Sequence, residues 1–337
     1  MSYFCAVFLK WPPARLWMQL RWLLLALCAI SASPAFSNSL QIVVPFPAAS
    51  PSGELARMLS TRLAAKLGHP VQVEYRPGGN SRVAQDVVRS AKADGSVILW
   101  ASSAIVVEPV IAQKPQEMAR DLQALALAAR ASLVMVSRPG LEARSFGEVL
   151  SLIRSGKPLS CAYGGGAMLL ACSALKQLGH GNVVLIPYAS SGQALPDVAG
   201  DRVDIAFTLL EPSVKALASA GKIVALGRTQ SVSSDPLAAA LPRLDHLLPQ
   251  LAISPWLGWF APAGTPVQAT QRFLQAAQEV MQEPEMQKRM EDFDFRAEFI
   301  PEPEFSRLLS SEYARFTQLL SSPTPLSAPA AGKALLK

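Results

Sequence analysis

Two turns hold the chemistry this chain can do. Ile42-Val43-Val44 runs into Pro45-Phe46-Pro47-Ala48-Ala49-Ser50, and a second run ends in Glu74-Tyr75-Arg76-Pro77-Gly78-Gly79. Each apolar, β-branched run stops at Pro and small residues, then gives way to a helical pattern. A strand-to-helix turn of that kind leaves backbone N–H groups free at a helix start, where they and the helix dipole hold an anion. Such binding needs no catalytic side chain, and little else suggests catalysis. His69, His180 and His246 stand alone, without metal-ligand spacing. Gly-x-Ser-x-Gly is missing, and Gly164-Gly165-Gly166 lacks the order and acidic partner of a dinucleotide loop. No catalytic residue, metal or cofactor is expected.

The turns are positioned by an alternation of strand and helix. Short β-branched runs predict strands at 41–45, 70–74, 96–101, 132–137, 159–163, 183–187, 203–207, 223–227 and 256–261. Amphipathic stretches predict helices at 53–67, 82–92, 145–154, 167–178, 191–199 and 212–220, with 267–320 mostly helical. Ser52 offers an N-cap and Lys66-Leu67-Gly68 a helix end. This is an α/β chain with too many strands for one small sheet, so two lobes with largely parallel sheets are expected.

Composition narrows the function. At 337 residues, 50% apolar and 17% charged, the chain has material for two domains and a large core. Of its 31 Lys and Arg, the three at Lys10, Arg15 and Arg21 precede residue 36; the other 28 stand against 25 Asp and Glu. That small excess, with no basic stripe, excludes a nucleic-acid partner. Arg21 precedes the apolar run 22–30, and small residues follow through Ser37, as in a secretory leader. Residues 1–37 are read as that signal peptide, with translation starting at Met18 and cleavage after Ala35 or Ser37. Cys5 and Cys28 leave with it. Cys161 and Cys172 remain, and their pairing stays open. Residues 322–337, rich in Ser, Pro and Ala, are expected to be disordered.

Six motifs in register then resemble the Bug-type periplasmic solute-binding proteins, receptors of tripartite tricarboxylate transporters. Pro45-Phe46-Pro47-Ala48 with Leu55-Ala56-Arg57 resembles their first loop, and Glu74-Tyr75-Arg76-Pro77-Gly78 their "ENRPG" turn. Ala93-Asp94-Gly95 is similar to "PDG", Ile186-Pro187-Tyr188-Ala189-Ser190 to "VPYKG", and Gly200-Asp201-Arg202-Val203-Asp204 to the "GxVD" turn. Trp256-Leu257-Gly258-Trp259-Phe260-Ala261-Pro262-Ala263-Gly264-Thr265-Pro266 is close to "WxGLFAPAGTP". The resemblance covers residues 38–320. It implies a two-lobed periplasmic binding protein fold (type II-like), each lobe a mainly parallel sheet flanked by helices. The ligand cleft lies between lobe I (38–137 plus 259–321) and lobe II (138–258). It further implies a monomeric periplasmic receptor that hands a small carboxylate or amino-acid-like ligand to a membrane permease. A sensing partner of a membrane kinase, a receptor with altered ligand and an exported enzyme remain alternatives. Ala49, Ser50, Gly53 and Tyr75 depart from the family's usual residues, as do Glu108-Pro109 and a shortened Gly loop without His.

In that fold four turns face one cleft, beyond the carboxyl ends of strands. Candidate ligand contacts are Ala48, Ser50, Ser52, Gly78, Gly79, Ser81, Arg82, Ser102, Ser103, Gly164, Gly165, Tyr188 and Ser190. The serines would add hydroxyl donors. Arg82 is the better cationic candidate, because Arg76 is expected to fix its own turn by bonding backbone carbonyls or Glu74. Tyr188 either meets the ligand or shapes its loop, and Asp204 secures a turn. Trp256, Trp259 and Phe260 read as hinge or core packing. Glu54, Glu108 and Glu211 read as solvent-facing acids; one facing the cleft would repel a tricarboxylate and favour an amine-bearing or neutral solute.

Overall fold

The computed structural model describes residues 39–114, 120–229 and 235–321. The expected leader with its Met18 start, Cys5 and Cys28, and the expected tail lie outside the described residues. In chain order come β1 (Leu40–Val44), α1 (Pro51–Leu67), β2 (Val71–Tyr75), α2 (Arg82–Arg89), β3 (Val97–Ser102) and α3 (Ala104–Ile111). Next are β4 (Leu122–Ala131), β5 (Val134–Ser137), α4 (Phe146–Arg154), β6 (Leu159–Tyr163), α5 (Gly166–Leu178) and β7 (Val183–Pro187). Then follow α6 (Ser191–Ala199), β8 (Ile205–Thr208), α7 (Pro212–Ser219), β9 (Val224–Arg228) and α8 (Pro236–Ala240). Last come β10 (Trp256–Pro262), α9 (Val267–Met281), α10 (Pro284–Asp292), β11 (Phe295–Pro301) and α11 (Glu304–Ser321).

The strands form two sheets, ordered β11-β4-β10-β3-β1-β2 and β7-β6-β8-β5-β9. Every expected strand forms within two residues of its expected limits. The sheets are mixed, not mainly parallel. β1 pairs in parallel with β2 and β3, and β6 with β7 and β8, each across a helical crossover. β10 and β11 enter the first sheet antiparallel, and β5 runs antiparallel to β8 and β9 in the second. The reason lies in the chain path. β5 follows β4 directly out of the other sheet, and β10 returns after the whole second sheet is made. Neither direction is set by a local crossover helix.

Two strands escape the sequence pattern, β4 and β11. β4 reads Leu-Gln-Ala-Leu-Ala-Leu-Ala-Ala-Arg-Ala, residues of high helix propensity. Its position decides otherwise, because both edges are paired and eight of its ten residues are buried. Its small residues match large neighbours on β10, where Trp259 pairs with Ala126 and Phe260 with Ala124. Beside them Trp100 meets Trp259 with ring centroids 4.0 Å apart, and Trp259 meets Phe273 edge-on at 5.1 Å. The core-packing role expected for Trp259 and Phe260 holds.

Cys161, on β6, is disulfide-bonded to Cys172, on α5, which resolves the pairing left open above. The bridge closes a short loop containing Gly164-Gly165-Gly166. For a loop of this length, reduction is expected to lower stability by about 3 kcal/mol. Urea unfolding with and without reductant measures this.

Asp204 secures its turn as expected. It accepts from Arg138 Nε at 2.8 Å, from the Ser160 amide at 2.8 Å and from Ser160 Oγ at 2.9 Å. Burial alone would raise its carboxyl, but these bonds outweigh it and hold the group below the usual range. A depressed carboxyl stabilises the fold above its unfolded pKa, about 3.9, and that contribution disappears as pH falls through the lower folded value. Asp204→Asn should therefore lower stability at pH 7 and flatten the wild-type loss of stability below about pH 4. Denaturation midpoints across pH 2–7 test both effects.

Candidate functional site

Two adjoining cavities lie where the turns of both sheets meet. The inner has a volume of about 50 Å³ and the outer about 290 Å³, and Phe46, Gly164 and Gly165 line both. The helix starts of α1, α3, α5 and α6 all reach the inner one, through Ser50 and Ser52, Ser102 and Ser103, Gly165 to Met168, and Ser190 and Ser191. Each helix follows a strand end: α1 after β1, α3 after β3, α5 after β6 and α6 after β7. Four positive helix ends therefore share one small space. Among the described residues no Asp, Glu, Lys, Arg or His lines either cavity.

Glycine permits this convergence at two positions. A Cβ at Gly164 would lie 2.1 Å from the Ser190 carbonyl carbon and 2.2 Å from the Ser191 nitrogen. A Cβ at Gly166 would lie 2.4 Å from the Ala104 Cα. The first contact packs the Gly turn onto α6, and the second joins α5 to α3 across the two sheets. The outer cavity has its own backbone feature. Gly78, Gly79, Asn80 and Ser81 all have positive φ, of 123°, 55°, 50° and 79°, and all four line it. Asn80 and Ser81 pay a steric penalty there that residues in ordinary turns avoid.

The hydroxyls differ in what they can offer. Ser50 caps α1, accepting from the Gly53 amide at 3.1 Å and donating to the Pro47 carbonyl at 2.7 Å. Its proton is committed, so the expectation of a free donor there is corrected. Ser102 Oγ accepts from the Ala104 amide at 3.3 Å. Ser103 and Ser190 make no cap hydrogen bond, yet both are buried. Ser191 Oγ donates to Glu211 Oε1 at 3.0 Å. Tyr188 donates to Asp197 Oδ2 at 2.6 Å; burial and that bond push its phenol up to about 12. It offers the outer cavity a ring more than a proton.

Of the sequence candidates, Ser50, Ser52, Ser102, Ser103, Gly164, Gly165 and Ser190 come together at the inner cavity. Gly78, Gly79, Ser81 and Tyr188 meet at the outer one. Ala48 is exposed and lines neither. Arg82 also lines neither; its Nε lies 3.5 Å from Glu108. Arg76 pairs with Glu74, as expected. Glu54 pairs with Arg289 at 2.7 Å. Glu211 is 7% exposed, which corrects its reading as a solvent-facing acid. Burial raises its carboxyl against the hydrogen bonds from Ser191 and Thr208.

Sequence reasoning missed the apolar wall: Met168, Leu209, Trp256, Leu257 and Phe295. Trp256 combines two roles, since it faces the cavity and its Nε1 donates to buried Glu312 at 2.7 Å. Its place in the motif-bearing crossing strand was the available signal. Phe295 had none, because β11 itself was unrecognised.

Residues 55–323 match the family model described as the tripartite tricarboxylate transporter family receptor. The chain belongs to this receptor family. Among relatives of this family receptor, BugT of Bordetella pertussis is 28% identical over 245 residues, 70% of this chain and 74% of BugT. The periplasmic binding protein BugD shares its fold with a TM-score of 0.73 at 22% identity, covering 85% of this chain and 97% of BugD. MatC from Rhodopseudomonas palustris, solved with bound malate, gives a TM-score of 0.72 at 23% identity, covering 85% of this chain and all of MatC. The family expectation read from the motifs is thus correct. Of the departures noted above, Tyr75, Glu108-Pro109 and the Gly loop fall within the matched span, and Ala49, Ser50 and Gly53 precede it.

Proposed function

We propose that this family member is an exported, monomeric receptor that binds a small carboxylate between two lobes, one built on each sheet, and delivers it to a membrane permease. One observation carries the reading: four helix starts converge on a cavity that no charged side chain lines among the described residues. A carboxylate there would be held by backbone N–H groups and helix dipoles, with Ser52, Ser102, Ser103 and Ser190 as hydroxyl partners. The apolar wall excludes water around the rest of the ligand. Gly78, Gly79, Ser81 and Tyr188 form the outer rim over which the ligand enters. Nothing in this site makes or breaks bonds in the ligand; its work is binding, closure about the strand crossings and release. Malate binding by MatC supports the ligand class. A thermal-shift screen of purified protein against mono-, di- and tricarboxylates tests the reading. A ligand at 100 times its Kd should add about 2.7 kcal/mol of stability; no shift with any carboxylate refutes it.

A further inference from the structure

Glu211 has no role in the carboxylate reading, and it lies beside the site. It is buried, and its neighbours are hydroxyls: Ser191 Oγ at 3.0 Å and Thr208 Oγ1 at 3.4 Å. Among the described residues no Lys, Arg or His pairs with it. A buried acid without a counter-ion is unfavourable for folding, and such groups cluster at functional sites.

Its placement defines its effect. A Cβ at Gly192 would lie 3.4 Å from Glu211 Oε2, so the carboxylate packs on the first turn of α6. That helix start is already faced by a carboxyl group. The other three are not. α3 and α5 carry no acid in their first turns, and Glu54 in α1 is paired with Arg289. Ser191 lines the inner cavity with its proton turned toward Glu211, so it presents a lone pair to the ligand. One side of the site thus suits an anion, and the α6 side suits a hydrogen-bond donor with positive charge. Phe46, Met168, Trp256 and Leu257 also line the cavity.

We propose that the ligand is an amino-bearing monocarboxylate whose ammonium is received by Ser191, backed by Glu211, while its carboxylate lies against the starts of α1, α3 and α5. This rests on the carboxylate-receptor reading above. A second carboxylate on the ligand would meet a lone pair backed by a buried carboxyl group, and would be rejected.

Calorimetric titration of the purified protein with 2-aminobutyrate, 4-aminobutyrate, the matching hydroxybutyrates, butyrate and succinate tests the assignment. The two amino acids place the ammonium at short and long spacing from the carboxylate. One of them should bind about tenfold tighter than its hydroxy counterpart and than butyrate, with succinate weakest. E211Q, which can still accept from Ser191, should lose that preference and bind succinate better than the wild type does. Succinate or butyrate binding as tightly as both amino acids overturns the proposal while leaving the receptor reading intact. So does an unchanged preference in folded E211Q. The wild-type series decides the matter even where E211Q fails to fold. Absence of binding by every compound overturns the proposal, and the receptor reading falls with it only if the wider carboxylate screen is also empty.

Discussion

Trp256→Ala is expected to lower stability by about 3–5 kcal/mol, the range for deleting a buried large aromatic. Trp256 is 1% exposed, meets Phe305 edge-on at 5.4 Å and lies 6.4 Å from Phe260. Its loss opens a void under the inner cavity and removes the indole N–H from Glu312. That carboxyl is raised by burial, and its nearest cation, Arg130, stands 3.9 Å away. Trp256→Phe separates the two contributions. It keeps most of the ring but leaves the buried Glu312 oxygen without its donor, which should cost about 1–3 kcal/mol. Urea unfolding of both variants measures the difference. A Trp256→Phe variant as stable as the wild type would show that Glu312 is satisfied without the indole.

Gly164→Ala is expected to damage both binding and folding. The added methyl cannot share space with the Ser190–Ser191 peptide 2.1–2.2 Å away, so α6 must move off the Gly turn. Overpacking of this kind costs about 1–3 kcal/mol. Because the displaced residues form one cavity wall, ligand affinity should fall about tenfold or more. Gly165→Ala is the stability control. Its φ of 172° suits any residue, and a Cβ there meets nothing within 4 Å. Its stability should stay within about 0.5 kcal/mol of wild type. Equal stability and affinity for Gly164→Ala and wild type would mean that the α6 start does not define the site.

The turns were legible because Pro, Gly and Ser punctuate them. Pro45 to Ser50 ends β1, and Gly164 to Gly166 opens α5, in residue types whose backbone consequences are local. The sheet partners were not. Nothing in the Ala- and Leu-rich β4 distinguishes it from a helix until β10 and β11 flank it. With β11 unread, Phe295 could not be placed at the cavity. Side-chain commitment was equally hidden: Ser50 and Ser190 are both serines preceding helices, but only Ser50 has its proton engaged by a backbone carbonyl. Glu211 was visible as an acid near a ligand loop. Its burial depends on β8, α6 and α7 folding around it, which no local pattern encodes.

The contact between Gly166 and Ala104 would bear on any parting of the two sheets. It is backbone against backbone, between helices that belong to different sheets, and it contains no charge. Salt screens exposed charges separated by more than a Debye length, about 10 Å at 0.1 M, but it has no purchase on a steric seam of this kind. Separation at this seam should therefore proceed with the same ease in fresh and in saline surroundings.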